Sequence, residues 1–114
     1  MQATDGITKM QQDETIRLLH LLGISIHRLG YQCLRIAAPR FAGRDTQSLS
    51  KELYPFVAEQ LEISDWRSVE RAIRAVIVDA WARRDVSLWA QYFPDPEKAP
   101  TNKQFLAVLA EKLH

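Results

Sequence analysis

The sequence predicts an all-α domain, a six-helix bundle with a helix-turn-helix at its centre, related to the winged-helix class but without a wing. Three observations carry this. Apolar residues recur at three- and four-residue spacing in every long segment, the period of a helix buried on one face. No run alternates apolar and polar residues as a half-buried strand does. Only four glycines and five prolines occur in 114 residues, too few turn formers for a β architecture.

The helices follow in order. Residues 1–12 are polar and aperiodic and read as a disordered lead-in or linker remnant, with the domain occupying 13–114. Asp13 is a candidate N-cap for a first helix built on Ile16, Leu18, Leu19, Leu21 and Leu22, and Gly23 is a suitable stop. After the apolar connector Ile24-Ser25-Ile26, a second helix is expected from about Arg28 to Phe41, with Leu29, Leu34, Ala37, Ala38 and Phe41 facing inward. Pro39 lacks a backbone donor and clashes with the preceding turn, so that helix should kink or end near Ala38. Gly43-Arg44-Asp45-Thr46 reads as a turn. A third helix over about Gln47–Leu61 places Leu49, Leu53, Val57 and Leu61 on one stripe, and Pro55 should make it kink or restart.

The fourth helix, about 65–84 with Ser64 or Asp65 as cap, is the most informative stretch. Val69, Ile73, Val76, Ile77 and Ala80 form a buried stripe, while Arg67, Arg71 and Arg74 run along roughly the opposite side. Arg83 and Arg84 suit the negative end of its dipole. A short fifth helix over Val86–Tyr92, a proline-rich loop from Phe93 to Pro100, and a last helix through Leu113 capped by Thr101 or Asn102 complete the chain.

Composition bounds the function. With 46% apolar residues, three Trp, three Tyr and four Phe, the chain can fill a core as one domain. No apolar run is long enough for a membrane span, and no signal peptide is visible. Cys33 is alone, which excludes an internal disulfide and suits a reducing cytoplasm. The net charge of +1 argues against a nonspecific nucleic-acid coat, yet the charges are segregated. Arg28, Arg35, Arg40 and Arg44 lie in a stretch without acids, whereas Glu52, Glu59, Glu62 and Asp65 gather elsewhere. His20, His27 and Cys33 match no zinc spacing, and there is no G-x-S-x-G, Gly-rich phosphate loop or H-E-x-x-H. An enzyme is therefore not expected, nor a metal or other cofactor. Trp66, Trp81 and Trp89 read as core anchors.

Helices three and four, joined by a short turn, have the outline of a helix-turn-helix whose second helix enters the major groove of double-stranded DNA. Arginine can donate bidentately to guanine, and Glu70 can accept from a cytosine amino group. Arg35, Arg40 and Lys98 are candidate phosphate contacts. The plainer reading is a solvated charged face, with Glu70 and Arg74 as an i, i+4 pair.

Leu53-Tyr54-Pro55, Val69-Glu70-Arg71-Ala72-Ile73-Arg74 and Ala80-Trp81 also carry a family likeness, as do Gly30-Tyr31 with Leu34-Arg35, and Pro100-Thr101-Asn102 with Phe105 and Ala110-Glu111-Lys112-Leu113. Together they resemble the C-terminal DNA-binding effector domain of the stage-zero sporulation response regulator of endospore-forming bacteria, over roughly residues 13 to 113. The resemblance implies a six-helix fold and a sequence-specific transcription regulator of a two-component system. It implies that such a domain follows a receiver domain, binds DNA as a tandem homodimer and contacts the primary sigma factor of RNA polymerase. By position, Arg67, Ser68, Glu70, Arg71 and Arg74 are the DNA-binding set. The chain departs from the family pattern in reading Arg67-Ser68 where the family has Ser-Arg, in Ala75 and Ala99 where the family has His and Lys, in Pro39, and in lacking a basic tail after His114. A different reading of the same fold is a stand-alone protein-interaction module that has lost DNA binding.

Overall fold

The computed structural model describes residues 9–43 and 48–113. The six α-helices among these described residues are α1 (Lys9–Leu21), α2 (Leu29–Gly43), α3 (Tyr54–Gln60), α4 (Trp66–Ala82), α5 (Val86–Ala90) and α6 (Asn102–Lys112), with a π-helical turn over Leu49–Leu53 before α3. No strand occurs among the described residues, and no helix is long and apolar enough to cross a membrane.

Helix α2 is the central element and packs against α1, α3, α4 and α6. Its inner face is built from Gly30, Leu34, Ala37, Ala38 and Phe41, all buried. Gly30 is where α2 meets α4. A Cβ at that position would lie 2.6 and 2.8 Å from the two Val76 methyl groups and would also collide with the Ala72 carbonyl oxygen. Only glycine permits so close a crossing. Leu29 was expected on the inner face but is 48% exposed. One residue before Gly30, it stands about 100° around the helix from the contact.

Of the kink or end that Pro39 suggested near Ala38, the end does not occur: the helix continues through the proline to Gly43. Burial of Ala37, Ala38, Phe41 and Ala42 on both sides of the proline offsets the lost hydrogen bond, a penalty of about 3 kcal/mol in an isolated helix. The other proline acts differently. The expected third helix is divided, with Leu53 N–H donating to the Ser48 carbonyl at 3.0 Å and Tyr54 N–H donating to the Leu49 carbonyl. These five-residue spacings widen the turn ahead of Pro55. The proline then falls in the first turn of α3, where its missing donor goes unneeded. Leu53 and Val57 are buried, while Leu49 and Leu61 are only partly so. Of the expected turn at Gly43-Arg44-Asp45-Thr46, Gly43 belongs to α2, and the rest lies outside the described residues.

The first helix is already formed at Lys9, the first described residue, so Asp13 is not its cap. Residues 9–12 of the expected lead-in are therefore helical, and Asp13 pairs with Lys9 one turn earlier at 3.0 Å. Residues 1–8 of that lead-in lie outside the description. Helices α1 and α3 share one C-terminal device. In α1, Ile24 N–H reaches the Leu19 carbonyl (2.9 Å) and Gly23 N–H the His20 carbonyl (3.1 Å), with Gly23 at φ 81°. In α3, Ile63 N–H reaches the Ala58 carbonyl (2.8 Å) and Glu62 N–H the Glu59 carbonyl (3.3 Å), with Glu62 at φ 58°. Both are Schellman motifs, but α3 places a glutamate in the left-handed conformation.

The far end of the bundle is aromatic. Trp89 is buried and donates its indole N–H to the Leu22 carbonyl at 3.2 Å. It meets Trp81 edge-on and touches Phe93 and Phe105, which are stacked at 5.4 Å. Trp89 is thus the expected core anchor, whereas Trp66 and Trp81 are half-buried at the rim. Cys33 is completely buried, and burial pushes its thiol pKa up to about 11, so it packs as a small apolar group.

Two substitutions test this account by urea unfolding. Gly30→Ala should destabilise the domain by about 3 kcal/mol through overpacking at the α2–α4 crossing. Glu62→Gly should stabilise it by about 0.5–1 kcal/mol, because the relieved left-handed strain exceeds glycine's added unfolded-state entropy.

Candidate nucleic-acid interface

The unit formed by α3, the turn over residues 61–65 and α4 has the helix-turn-helix outline expected from the sequence. Its closing turn is the α3 Schellman motif, after which Asp65 caps α4. The Asp65 carboxylate accepts from the Arg67 backbone N–H at 2.9 Å, satisfying one of the free donors of the first turn. Trp66, the first residue of α4, stacks on Tyr54, the first of α3, at 6.1 Å. The two helices are therefore joined at both the turn and their N-terminal residues.

Helix α4 has 17 residues and is about 25 Å long. It buries Val69, Ile73, Val76, Ile77 and Ala80. Its outer face changes character along the axis. Arg67, Glu70 and Arg71 are exposed in the N-terminal half, with Ser68 half-exposed beside them, whereas Ala75, Val78 and Ala82 are the exposed residues further on. The exposed charged residues of α4 thus lie in its first two turns, the part of a recognition helix that reaches base edges in a major groove.

The three arginines differ in what holds them. Arg67 turns back to Asp65, with its Nε 3.1 Å from the carboxylate, and both side chains are well exposed. The backbone N–H of Arg67, its side-chain hydrogen bond and then its charge hold the Asp65 carboxyl below its ordinary value. An exposed pair of this kind is easily exchanged for another partner. Arg71 donates to the Ser68 hydroxyl at 3.3 Å, also a weak, solvent-exposed restraint. Arg74 is half-buried and donates to the Pro100 carbonyl, 26 residues away. The i, i+4 pair of Glu70 and Arg74 does not form, because Arg74 is turned to the loop before α6.

Beside Arg74, Asn102 ties three elements together. Its Nδ2 donates to the Tyr54 phenol oxygen at 3.1 Å and to the Glu70 backbone carbonyl at 3.1 Å. Burial, with Glu70's charge adding to it, keeps the Tyr54 pKa above its ordinary value despite the Asn102 bond, so the acceptor is a neutral phenol. Thr101 anchors the segment. Its hydroxyl accepts from Gln104 N–H and its own N–H donates to the Gln104 side chain, a capping box for α6. Sequence reading placed Pro100-Thr101-Asn102 only as a family block and a helix cap, because a bond spanning 32 residues leaves no local signature.

The remaining candidates are dispersed. Lys98 is exposed, two residues before the Pro100 carbonyl that Arg74 holds. The Arg40 guanidinium lies 3.9 Å from the Phe56 ring centroid, where it links α2 to α3. Arg35 is exposed on the side of α2 about 140° from Gly30 and its contact with α4. Arg83 and Arg84, at the end of α4, tie down loops: Arg83 pairs with Asp79 and donates to the Gly23 carbonyl, and Arg84 covers Trp81 at 3.5 Å and donates to the Pro96 carbonyl at 3.3 Å. His20 contacts the Tyr31 hydroxyl at 3.2 Å. No group of three His, Cys, Asp or Glu able to hold a metal occurs among the described residues.

The family model for the sporulation initiation factor Spo0A C terminal matches residues 15–113. The match spans nearly the whole chain, and the chain belongs to that family, which is the DNA-binding domain of a sporulation transcription factor.

The Asp65 cap gives a pH test. A carboxyl whose folded pKa is depressed contributes stability above its unfolded value, and that contribution is lost as pH falls through the folded value. Asp65→Asn keeps a capping oxygen but no titrating charge. Its urea midpoint should therefore fall less than that of the parent between about pH 6 and about pH 3, while Asp65→Ala should lower the midpoint even at neutral pH.

Proposed function

We propose that this domain is a sequence-specific, duplex-DNA-binding transcription regulator that lays the N-terminal half of α4 in the major groove. The observation that supports it best is the polarised outer face of α4, with Arg67, Ser68, Glu70 and Arg71 clustered in its first turns on a helix whose opposite face is buried in the core. On this reading Arg71 donates to guanine or a nearby phosphate, and Glu70 accepts from a cytosine amino group. Arg67 exchanges its exposed carboxylate partner for DNA, and Ser68 supplies a short hydroxyl beside it. Arg74 stands at the edge of the same face. Lys98 is the phosphate contact best placed beside α4, with Arg35 and Arg40 further from it. The one-residue exchange of Arg67 and Ser68 relative to the family pattern moves a guanidinium about 100° around the helix and alters the preferred base sequence.

Membership of the family supports a role in the cytoplasm in sporulation-phase transcription. By the same analogy the domain acts under a receiver domain, binds as a tandem pair on DNA and touches the primary sigma factor of RNA polymerase. The competing reading, an interaction module that no longer binds DNA, draws on the net charge of +1. Salt distinguishes the two. DNA affinity should fall steeply between low and physiological salt if several phosphates are neutralised, whereas the interaction module would show no salt-sensitive binding to a pool of random duplexes. With a duplex selected from such a pool, Arg71→Ala should weaken binding by about 1–3 kcal/mol and leave the helical circular-dichroism signal unchanged. Unaltered affinity would remove Arg71 from the reading set.

A further inference from the structure

We propose that Arg74 and Asn102 are positioning residues for the DNA-reading helix: they act by clamping α4 to the Pro100–Asn102 segment, and Arg74 does not itself read DNA. The inference rests on the DNA-binding reading above and changes the role that sequence position gives Arg74. Its basis is a difference in restraint among three arginines on one helix. Arg67 and Arg71 are exposed and held only by near neighbours in sequence, Asp65 and Ser68. Arg74 is half-buried, and its guanidinium donates to a backbone carbonyl on a different element. Releasing it would leave the buried Pro100 carbonyl without this donor, a loss that an exposed ion pair does not carry.

Asn102 shows why the clamp bears on reading. The same side-chain nitrogen holds the Glu70 carbonyl on α4 and the Tyr54 hydroxyl on α3. Glu70 itself carries one of the proposed reading side chains, and Arg71 follows it. The contact therefore grips the backbone at the reading residues, while Arg74 grips one turn further on. Two attachments a turn apart fix the rotation of α4 about its axis as well as its height above α6. Rotation matters because moving one position along the helix turns a side chain by about 100°, and a bidentate base contact tolerates little misalignment.

The test uses the whole chain and the duplex selected above. Arg74→Ala, Arg74→Lys and Asn102→Ala are each measured at a temperature where circular dichroism shows them fully folded. A positioning role predicts about tenfold weaker binding to the selected duplex for Arg74→Ala and Asn102→Ala, the size of loss that removing an orienting partner produces. The slope of log affinity against log salt and the ranking of single base-pair changes should stay as in the parent. Arg74→Lys, which retains a donor for the Pro100 carbonyl but has no bidentate fork, should recover most of the affinity. The proposal is overturned if Arg74→Ala lowers the salt slope by about one, the mark of a lost phosphate contact, or abolishes preference at a single base pair. It is equally overturned if the folded variants bind as tightly as the parent, which would leave the clamp a purely structural one. Failure of the parent itself to bind any duplex would instead overturn the DNA-binding reading, and this inference with it.

Discussion

The structure depends on the crossing of α2 and α4 at Gly30. The α4 backbone approaches α2 so closely there that a single methyl group would strike a carbonyl and two valine methyls. Since α2 also packs against α1, α3 and α6, this crossing connects α4 directly to the centre of the core. It sets which side of α4 is buried, and hence which side can be offered to a partner. The Val69, Ile73, Val76, Ile77 and Ala80 stripe is the consequence, and the exposed residues of the first two turns are what the crossing leaves outside.

Around that crossing the molecule secures α4 by polar contacts of graded strength. The Asp65 cap and the Schellman turn at Glu62 define where the helix begins. Asn102 and Arg74 hold it to the start of α6 and the loop before it, while Arg83 holds its end to the connector after α1 and Arg84 to the Pro96 carbonyl. The part-buried contacts of Arg74 and Asn102 reach across 26 and 32 residues. The exposed ones at Arg67 and Arg71 stay within three residues and are cheap to break. This gradient leaves a rigid helix with replaceable partners at its outer N-terminal end, the combination that recognition of a charged duplex requires.

Much of the fold was legible in the sequence because helix periodicity is local. The α4 stripe, the Gly23 stop and the two helix caps, each narrowed to a pair of adjacent residues (Ser64 or Asp65, Thr101 or Asn102), all follow from residues within one or two turns of each other. The misreadings share a different cause. Pro39 argued for a helix kink or end, and the buried residues flanking it outweigh the lost bond and carry the helix on to Gly43. Pro55 left kink and restart both open, and a π-helical turn settled it as a restart by changing the register of the carbonyls ahead of it. Polar residues 9–12 gave no apolar period, yet they extend α1 with an exposed face. Propensity describes a segment in isolation, and in each of these places a tertiary contact or an altered hydrogen-bond spacing prevailed.

By itself the sequence determined that the protein is all-helical, which residues of α4 are buried, where that helix starts, and that its first turns carry arginine and glutamate. These depend on side-chain period and capping, both encoded within a few residues. Only the tertiary structure decided how the arginines divide. On the helix wheel Arg67, Arg71 and Arg74 look equivalent. The carbonyl of Pro100 separates Arg74 from the other two, because the path of the loop before α6, not the sequence of α4, places an acceptor beside it. The same holds for Asn102, whose hold on Glu70 and Tyr54 exists only once three separate helices have been packed together.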